Sequence, residues 1–257
     1  MRVGLAQLDI GWEDQERNYE KAAGLISKAA EDGCEVVCLP ELFSTGVTLD
    51  SGRFAESRDG GTFKFLRRQA MENRITVVGS YIEENGGHLP LNTSITFDAK
   101  GTVLSKYHKT HLFTYGGEDK GYSLGKPSAV AYRLGEFTAT TAICYDLRFP
   151  GLFQAGLDKG ADLLIVQANW PNPRKSHWDT LLKARAIECQ AYVAGVNQAG
   201  KSPNNTFFGA SKIVNPHGEV IAEAGDKEGF IAADISAEDV RKNREKYPFM
   251  KERRRIT

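Results

Sequence analysis

The chain has 257 residues, 33 lysines and arginines balance 33 aspartates and glutamates, and 41% of residues are hydrophobic. That length suits one large α/β domain, the composition argues against disorder, and net neutrality removes the cationic field that non-specific nucleic-acid binding needs. No apolar run approaches the ~20 residues of a membrane span, Gln7 and Asp9 interrupt any signal-peptide core, and four cysteines in so long a chain indicate a reducing cytoplasm rather than a disulfide framework.

Strand and helix signals alternate along the chain, with no internal repeat and no Pro/Ser-rich linker, so residues 1–257 read as one domain. A strand opens at 3–10. A helix follows from about Asp14, with Tyr19, Ala22, Ala23, Ile26, Ala29 and Ala30 on one face, and ends near Gly33. Residues 35–39 form a short apolar run, as expected of a strand covered on both faces. A helix at 61–73 precedes strands at 75–81, 92–97, 102–106, 129–134 and 138–144. The next helix starts near Pro150, whose fixed φ suits a first turn. After it come a strand at 162–167, a helix at 175–190, and strands at 191–197, 208–214, 219–224 and 230–234. Strands with interleaved helices indicate a layered α/β fold.

Three reactive side chains fall at the ends of these strands: Glu41, Lys109 and Cys144. Carboxyl ends of strands line the ligand crevice in open α/β sheets, so the three converge. Alone, each has a plainer reading: a turn carboxylate, a solvated lysine, a small buried thiol. Cys144 differs from Cys34, Cys38 and Cys189 in its setting. It lies on a strand-to-helix turn, where the helix N-terminus would favour a thiolate. Cys34 and Cys38 sit in or beside a buried strand, Cys189 sits late in a helix, and no finger-like zinc spacing is present.

Leu39-Pro40-Glu41-Leu42, Tyr107-His108-Lys109-Thr110-His111-Leu112-Phe113 and Cys144-Tyr145-Asp146-Leu147-Arg148-Phe149-Pro150 resemble the three signature blocks of the nitrilase superfamily of carbon–nitrogen hydrolases. Asn169-Trp170-Pro171, Lys183-Ala184-Arg185-Ala186-Ile187-Glu188 and Gly195-Val196-Asn197-Gln198 extend the match over nearly the whole chain. The resemblance implies a four-layer α-β-β-α sandwich, no cofactor, a homodimer or larger assembly, and a Glu-Lys-Cys triad of Glu41, Lys109 and Cys144. A second family glutamate matches Glu118, to hold Lys109 or orient the substrate amide; its plainer reading is a surface loop carboxylate. In these roles Cys144 attacks an amide, Glu41 moves protons, and Lys109 with the Tyr145 backbone N–H faces the oxyanion.

Two other readings stand beside this one. A papain-like pairing would join Cys144 to His108, His111 or His177, although no papain-type signature surrounds the cysteine. A catalytically silent binding module on the same fold is disfavoured by the three retained triad residue types.

The nucleophile block is similar to that of the ω-amidases, which act on small-molecule 2-oxo acid monoamides, and deaminated-glutathione amidases are the runner-up. Carbamoylases and nitrilases rank lower. Gly151 stands where many relatives have Glu, which loosens a first helical turn without touching the triad. A substrate carboxylate needs a cation, and Arg174, Lys175 and Arg148 are candidates, although Arg148 is equally placed to pair with Asp146. Phe43, Tyr115 and Trp170 are candidate pocket walls.

Arg185 falls within an apolar stripe of Trp178, Leu181, Leu182 and Cys189, so it is expected to be buried and paired with Glu188. Residues 241–257 hold eight basic side chains against two acids, interrupted by Tyr247, Pro248, Phe249 and Met250. This segment is expected to dock on the acidic body, at the subunit surface or a dimer contact, rather than to bind nucleic acid.

Overall fold

A computed structural model describes residues 1–254 and places two six-stranded sheets face to face. The first sheet has the order Gly229–Asp234, Arg2–Gln7, Val36–Cys38, Thr76–Asn85, His88–Phe97, Val103–His108. The second runs Val220–Glu223, Lys212–Val214, Tyr192–Asn197, Leu163–Ala168, Phe137–Ile143, Tyr132–Leu134. In each, three central strands are parallel and the flanking pairs antiparallel.

Alternation along the strands builds the layers. Leu163 and Ile165 point into the space between the sheets and meet Leu5, Val36, Val78 and Val196 there. Leu164 and Val166 point the other way, onto Phe153, Trp178, Leu182 and Ala186 of the Pro150–Leu157 and Lys175–Cys189 helices. The first sheet does the same through Ala6, Val37, Val77 and Ile95, which pack on Ile26, Ala29, Phe63 and Leu66 of the Gln15–Glu31 and Gly61–Asn73 helices. The result is a four-layer α-β-β-α sandwich. Cys34, Cys38 and Cys189 are absorbed one into each of these cores.

Asp14 accepts from the Arg17 N–H at 3.3 Å and fixes the start of the first long helix. The sequence reads one strand over 208–214, but the structure breaks it into Thr206–Phe208 and Lys212–Val214. Gly209 and Ala210 lie at φ +62° and +52°, and a Cβ at Gly209 would come within 2.3 Å of Gln7 Nε2, so the chain turns there to let Gln7 through. The Ala237–Lys246 helix carries no apolar stripe for a sequence reading to find; only Ala237, Val240 and Asn243 are buried, and Ser236 caps its start.

Arg185 is 4% exposed, pairs with Glu188 at 2.8 Å and donates twice to the Leu147 carbonyl, at 3.1 and 2.8 Å. It therefore braces the chain just after Cys144. Arg185→Ala is expected to destabilise the protein by ~1–3 kcal/mol, because it strands the buried Leu147 carbonyl, while Glu188 stays solvated; a wild-type denaturation midpoint would contradict this.

Arg244 donates to the carbonyls of Gln190, Cys189 and Ala161, which holds the C-terminal helix over the end of the Lys175–Cys189 helix. Arg253 reaches the Asp158 carboxylate. Residues 255–257 of the segment expected to dock lie outside the described residues.

Candidate active site

Four chain segments leave the same end of the two sheets and converge. Glu41 follows the Val36–Cys38 strand and Lys109 follows Val103–His108, both in the first sheet. Cys144 follows Phe137–Ile143 and Asn169 follows Leu163–Ala168, both in the second. Cys144 sits at φ +48°, a left-handed turn that costs a residue with a Cβ and persists only where its surroundings hold it.

Lys109 is buried between two carboxylates. Its Nζ lies 2.8 Å from Glu41 Oε1 and 2.7 and 2.9 Å from the two oxygens of Glu118. Asn92 Nδ2 donates to Glu41 Oε1 at 2.8 Å, and the Asn169 backbone N–H donates to Glu41 Oε2 at 2.9 Å. Glu118 follows Gly117, whose φ of +79° turns the chain inward, and its Oε2 accepts from the Phe113 N–H at 2.6 Å. The surface-loop reading of Glu118 is thus corrected, since it is 3% exposed and ion-paired.

Burial opposes the charge on Lys109, but Glu118 and Glu41 outweigh it and hold the ammonium well above the usual lysine range. Burial and then the Glu41 carboxylate push the Cys144 thiol well above its ordinary value, against the pull of Lys109. The expectation of a helix-stabilised thiolate is corrected accordingly. The helix begins only at Pro150, after the Cys144–Arg148 turn. Among the described residues, nothing at the turn therefore loosens the thiol proton except Lys109 and the Asn169 backbone.

These groups open onto a cavity of about 590 Å³, also lined by Tyr145, Arg148, Trp170, Arg174 and Tyr115. Tyr115 is 90% exposed and stands at the mouth. Phe43 is not a wall: it is fully buried and packs on Tyr19 and Phe65 under the first sheet, because Leu42 at φ +41° turns the chain away from the cavity. Arg148 does not pair with Asp146. Its guanidinium lies 4.7 Å over the Trp170 ring and donates to His177 Nδ1, while Asp146 is taken up by Tyr107, His111 and Ile143. Arg174 sits 5.1 Å over Phe113, and no carboxylate pairs with it among the described residues. Lys175 is held by Asp179 and does not line the cavity.

None of the three histidines is placed as a base. His108 meets Glu83, His177 meets Arg148, and His111 is bound to Asp146 and stacked on Phe149 at 3.8 Å. Among the described residues no group of three His, Cys, Asp or Glu is arranged to hold a metal ion. Sequence reasoning missed Asn92, Trp12, the 47–50 loop and the 202–207 hairpin as site elements. Asn169 carried the same strand-end signal as Cys144.

The model for the carbon–nitrogen hydrolase family matches residues 2–245. The chain is 34% identical to the 2-oxoglutaramate amidase of Bacillus subtilis, covering 96% of this chain and 95% of that one. It is 32% identical to the omega-amidase YafV of Escherichia coli K12, over 96% and 94%. A CN-hydrolase superfamily protein of Xanthomonas campestris, whose structure carries an arsenic adduct in the active site, superposes with a TM-score of 0.94 at 29% identity, over 100% and 98%. The sandwich, the whole-length match and these relatives together make the chain a member of the carbon–nitrogen hydrolase family.

Proposed function

We propose that the chain is a single-domain ω-amidase that hydrolyses the terminal amide of a 2-oxo acid monoamide, such as 2-oxoglutaramate, through a thioester on Cys144. The observation that carries this is Lys109 ion-paired with Glu41 and Glu118 in one cavity with the Cys144 thiol. The similarity to proteins named 2-oxoglutaramate amidase and omega-amidase supports it.

In this reading the Glu41 carboxylate takes the thiol proton as Sγ bonds to the amide carbon, and the carbonyl π pair moves onto oxygen. Lys109 Nζ and the Tyr145 N–H face that oxyanion. Glu41 then gives its proton to nitrogen, the C–N bond breaks and ammonia leaves. A water attacks the thioester, Glu41 takes its proton, the C–S bond breaks and the proton returns to sulfur. Amide and water become acid and ammonia, with no cofactor in any step. Glu118 keeps Lys109 charged and aimed.

Arg174 is the proposed partner of the substrate carboxylate, with Arg148, Trp170 and Tyr115 shaping the approach. Arg174→Gln is expected to raise KM for 2-oxoglutaramate by about tenfold or more, with a smaller change in kcat; that pattern in Arg148→Gln instead would move the role there. The whole reading is tested by ammonia release from 2-oxoglutaramate, 2-oxosuccinamate, deaminated glutathione, N-carbamoyl amino acids and nitriles. Fastest turnover is expected with the 2-oxo acid monoamides. The cavity of about 590 Å³ exceeds what a five-carbon amide fills, which favours deaminated glutathione as the second reading. Turnover of nitriles alone would overturn both.

We place the enzyme in the cytoplasm, where its four free cysteines suit a reducing medium; persistence of all four as thiols in protein isolated under non-reducing conditions tests this, and a disulfide would refute it. A homodimer is supported by the stacked, exposed Tyr247 and Phe249 on the C-terminal segment. Light scattering that gives a monomer would refute it.

A further inference from the structure

We propose that Asp146 is a positioning residue that fastens the Lys109 segment to the Cys144 turn and thereby sets the spacing between cation and nucleophile. The proposal rests on the roles given to Lys109 and Cys144 above. Those two side chains come from different sheets, so no shared strand fixes their separation. A tie between the sheets at the catalytic end must do so.

Asn169 ties the second sheet to Glu41, and Asp146 ties the Cys144 turn directly to the Lys109 segment. It is fully buried, two residues past Cys144, and its carboxylate accepts at four points. Oδ1 receives the His111 backbone N–H at 2.9 Å and the His111 ring Nδ1–H at 2.8 Å. Oδ2 receives the Tyr107 hydroxyl at 2.7 Å and the Ile143 backbone N–H at 3.0 Å. Tyr107 and His111 flank Lys109 on either side in sequence, and Ile143 immediately precedes Cys144.

The chemistry is specific to a carboxylate. A carboxylate offers two acceptor oxygens and no donor, whereas an amide at this place would turn an N–H toward the backbone N–H of His111 or of Ile143, which are themselves donors. The donors are fixed in turn. His111 lies flat on Phe149, with 7° between the ring planes, and Tyr107 is 2% exposed. The bond to the Ile143 N–H also steadies the chain as it enters the left-handed turn at Cys144. A small slip of one segment against the other would move Lys109 off the oxyanion while leaving the substrate's distal contacts in place.

The test is steady-state ammonia release, alkylation of Cys144 by iodoacetamide and thermal melting on Asp146→Asn, Tyr107→Phe, their double variant and a Cys144→Ala control. Asp146→Asn is expected to lower kcat by about 100-fold at temperatures where it is fully folded, with KM changed by less than about threefold, and to slow the alkylation. Tyr107→Phe removes one of the four bonds and is expected to lower kcat by about five- to tenfold. The double variant should be no slower than Asp146→Asn, because both changes act on one tie. Wild-type kcat in Tyr107→Phe and in folded Asp146→Asn would overturn the proposal, as would a loss confined to KM. Where Asp146→Asn fails to fold, Tyr107→Phe decides by the same criterion. Turnover surviving in Cys144→Ala would bring down the thiol mechanism itself, a result separate from failure of the tie.

Discussion

Cys144→Ala is expected to release no ammonia from any amide that the wild type hydrolyses, because the variant has no atom to carry the acyl group. Cys144→Ser should be nearly as inactive. Burial and the Glu41 charge already hold the thiol proton above its ordinary range, and an alcohol proton is harder still to remove. Cys34→Ala, Cys38→Ala and Cys189→Ala should behave oppositely. Each removes a packed sulfur from a different core layer, so each should cost ~1 kcal/mol or more of stability while turnover per folded molecule persists. The five variants in one assay and one melting series check the contrast, and an active Cys144→Ala would sink the mechanism.

Lys109→Ala is expected to fail twice over. Loss of an oxyanion donor should raise the barrier by ~3 kcal/mol or more. The same change leaves Glu41 and Glu118 buried without their shared cation, with Asn92 the remaining side-chain donor between them, at a further cost to stability of ~3–5 kcal/mol. The sign of the titration supports this. A lysine whose folded-state value is raised contributes its stability fully below the ordinary lysine range and loses it only as pH climbs through the raised value, so the cation persists across the neutral range. Kinetics and denaturant melts of Lys109→Ala and Lys109→Arg check both effects. His111→Ala should be milder, since it removes only one of the four bonds to Asp146 and a ring stacked on Phe149 outside the cavity. A reversal, with His111→Ala dead and Lys109→Ala active, would restore the histidine-base reading.

What the sequence made legible follows from local physics. Apolar runs ending abruptly in Glu41 and Cys144 announce strands that deliver a polar group to a sheet end, and both sit there. Glu118 could not be placed by that logic. A carboxylate in Thr114-Tyr115-Gly116-Gly117-Glu118 looks like surface until Gly117 folds it back onto Lys109. Asn92 gave no signal at all, being one polar residue in a strand of several; its contact with Glu41 spans 51 positions, and no local pattern encodes it. Phe43 was ambiguous for a related reason. An aromatic two residues past a reactive carboxylate fits a wall or a core equally well, and only the backbone turn at Leu42 decides for the core.

The first sheet takes an edge strand from the far end of the chain. Arg2–Gln7 pairs antiparallel with Gly229–Asp234, and the Arg2–Asp234 contact joins residues 232 positions apart. During synthesis the Arg2–Gln7 strand, in the layer that carries Glu41 and Lys109, therefore waits for this partner until residues 229–234 have been made, and long-range pairings of this kind form slowly. For that interval Glu41 and Cys144 follow strands of sheets that are still incomplete, and Val3 and Leu5 lie beside unpaired backbone groups able to recruit a neighbouring chain. The strand at 229–234 then covers that row of donors and acceptors and becomes the outer edge itself.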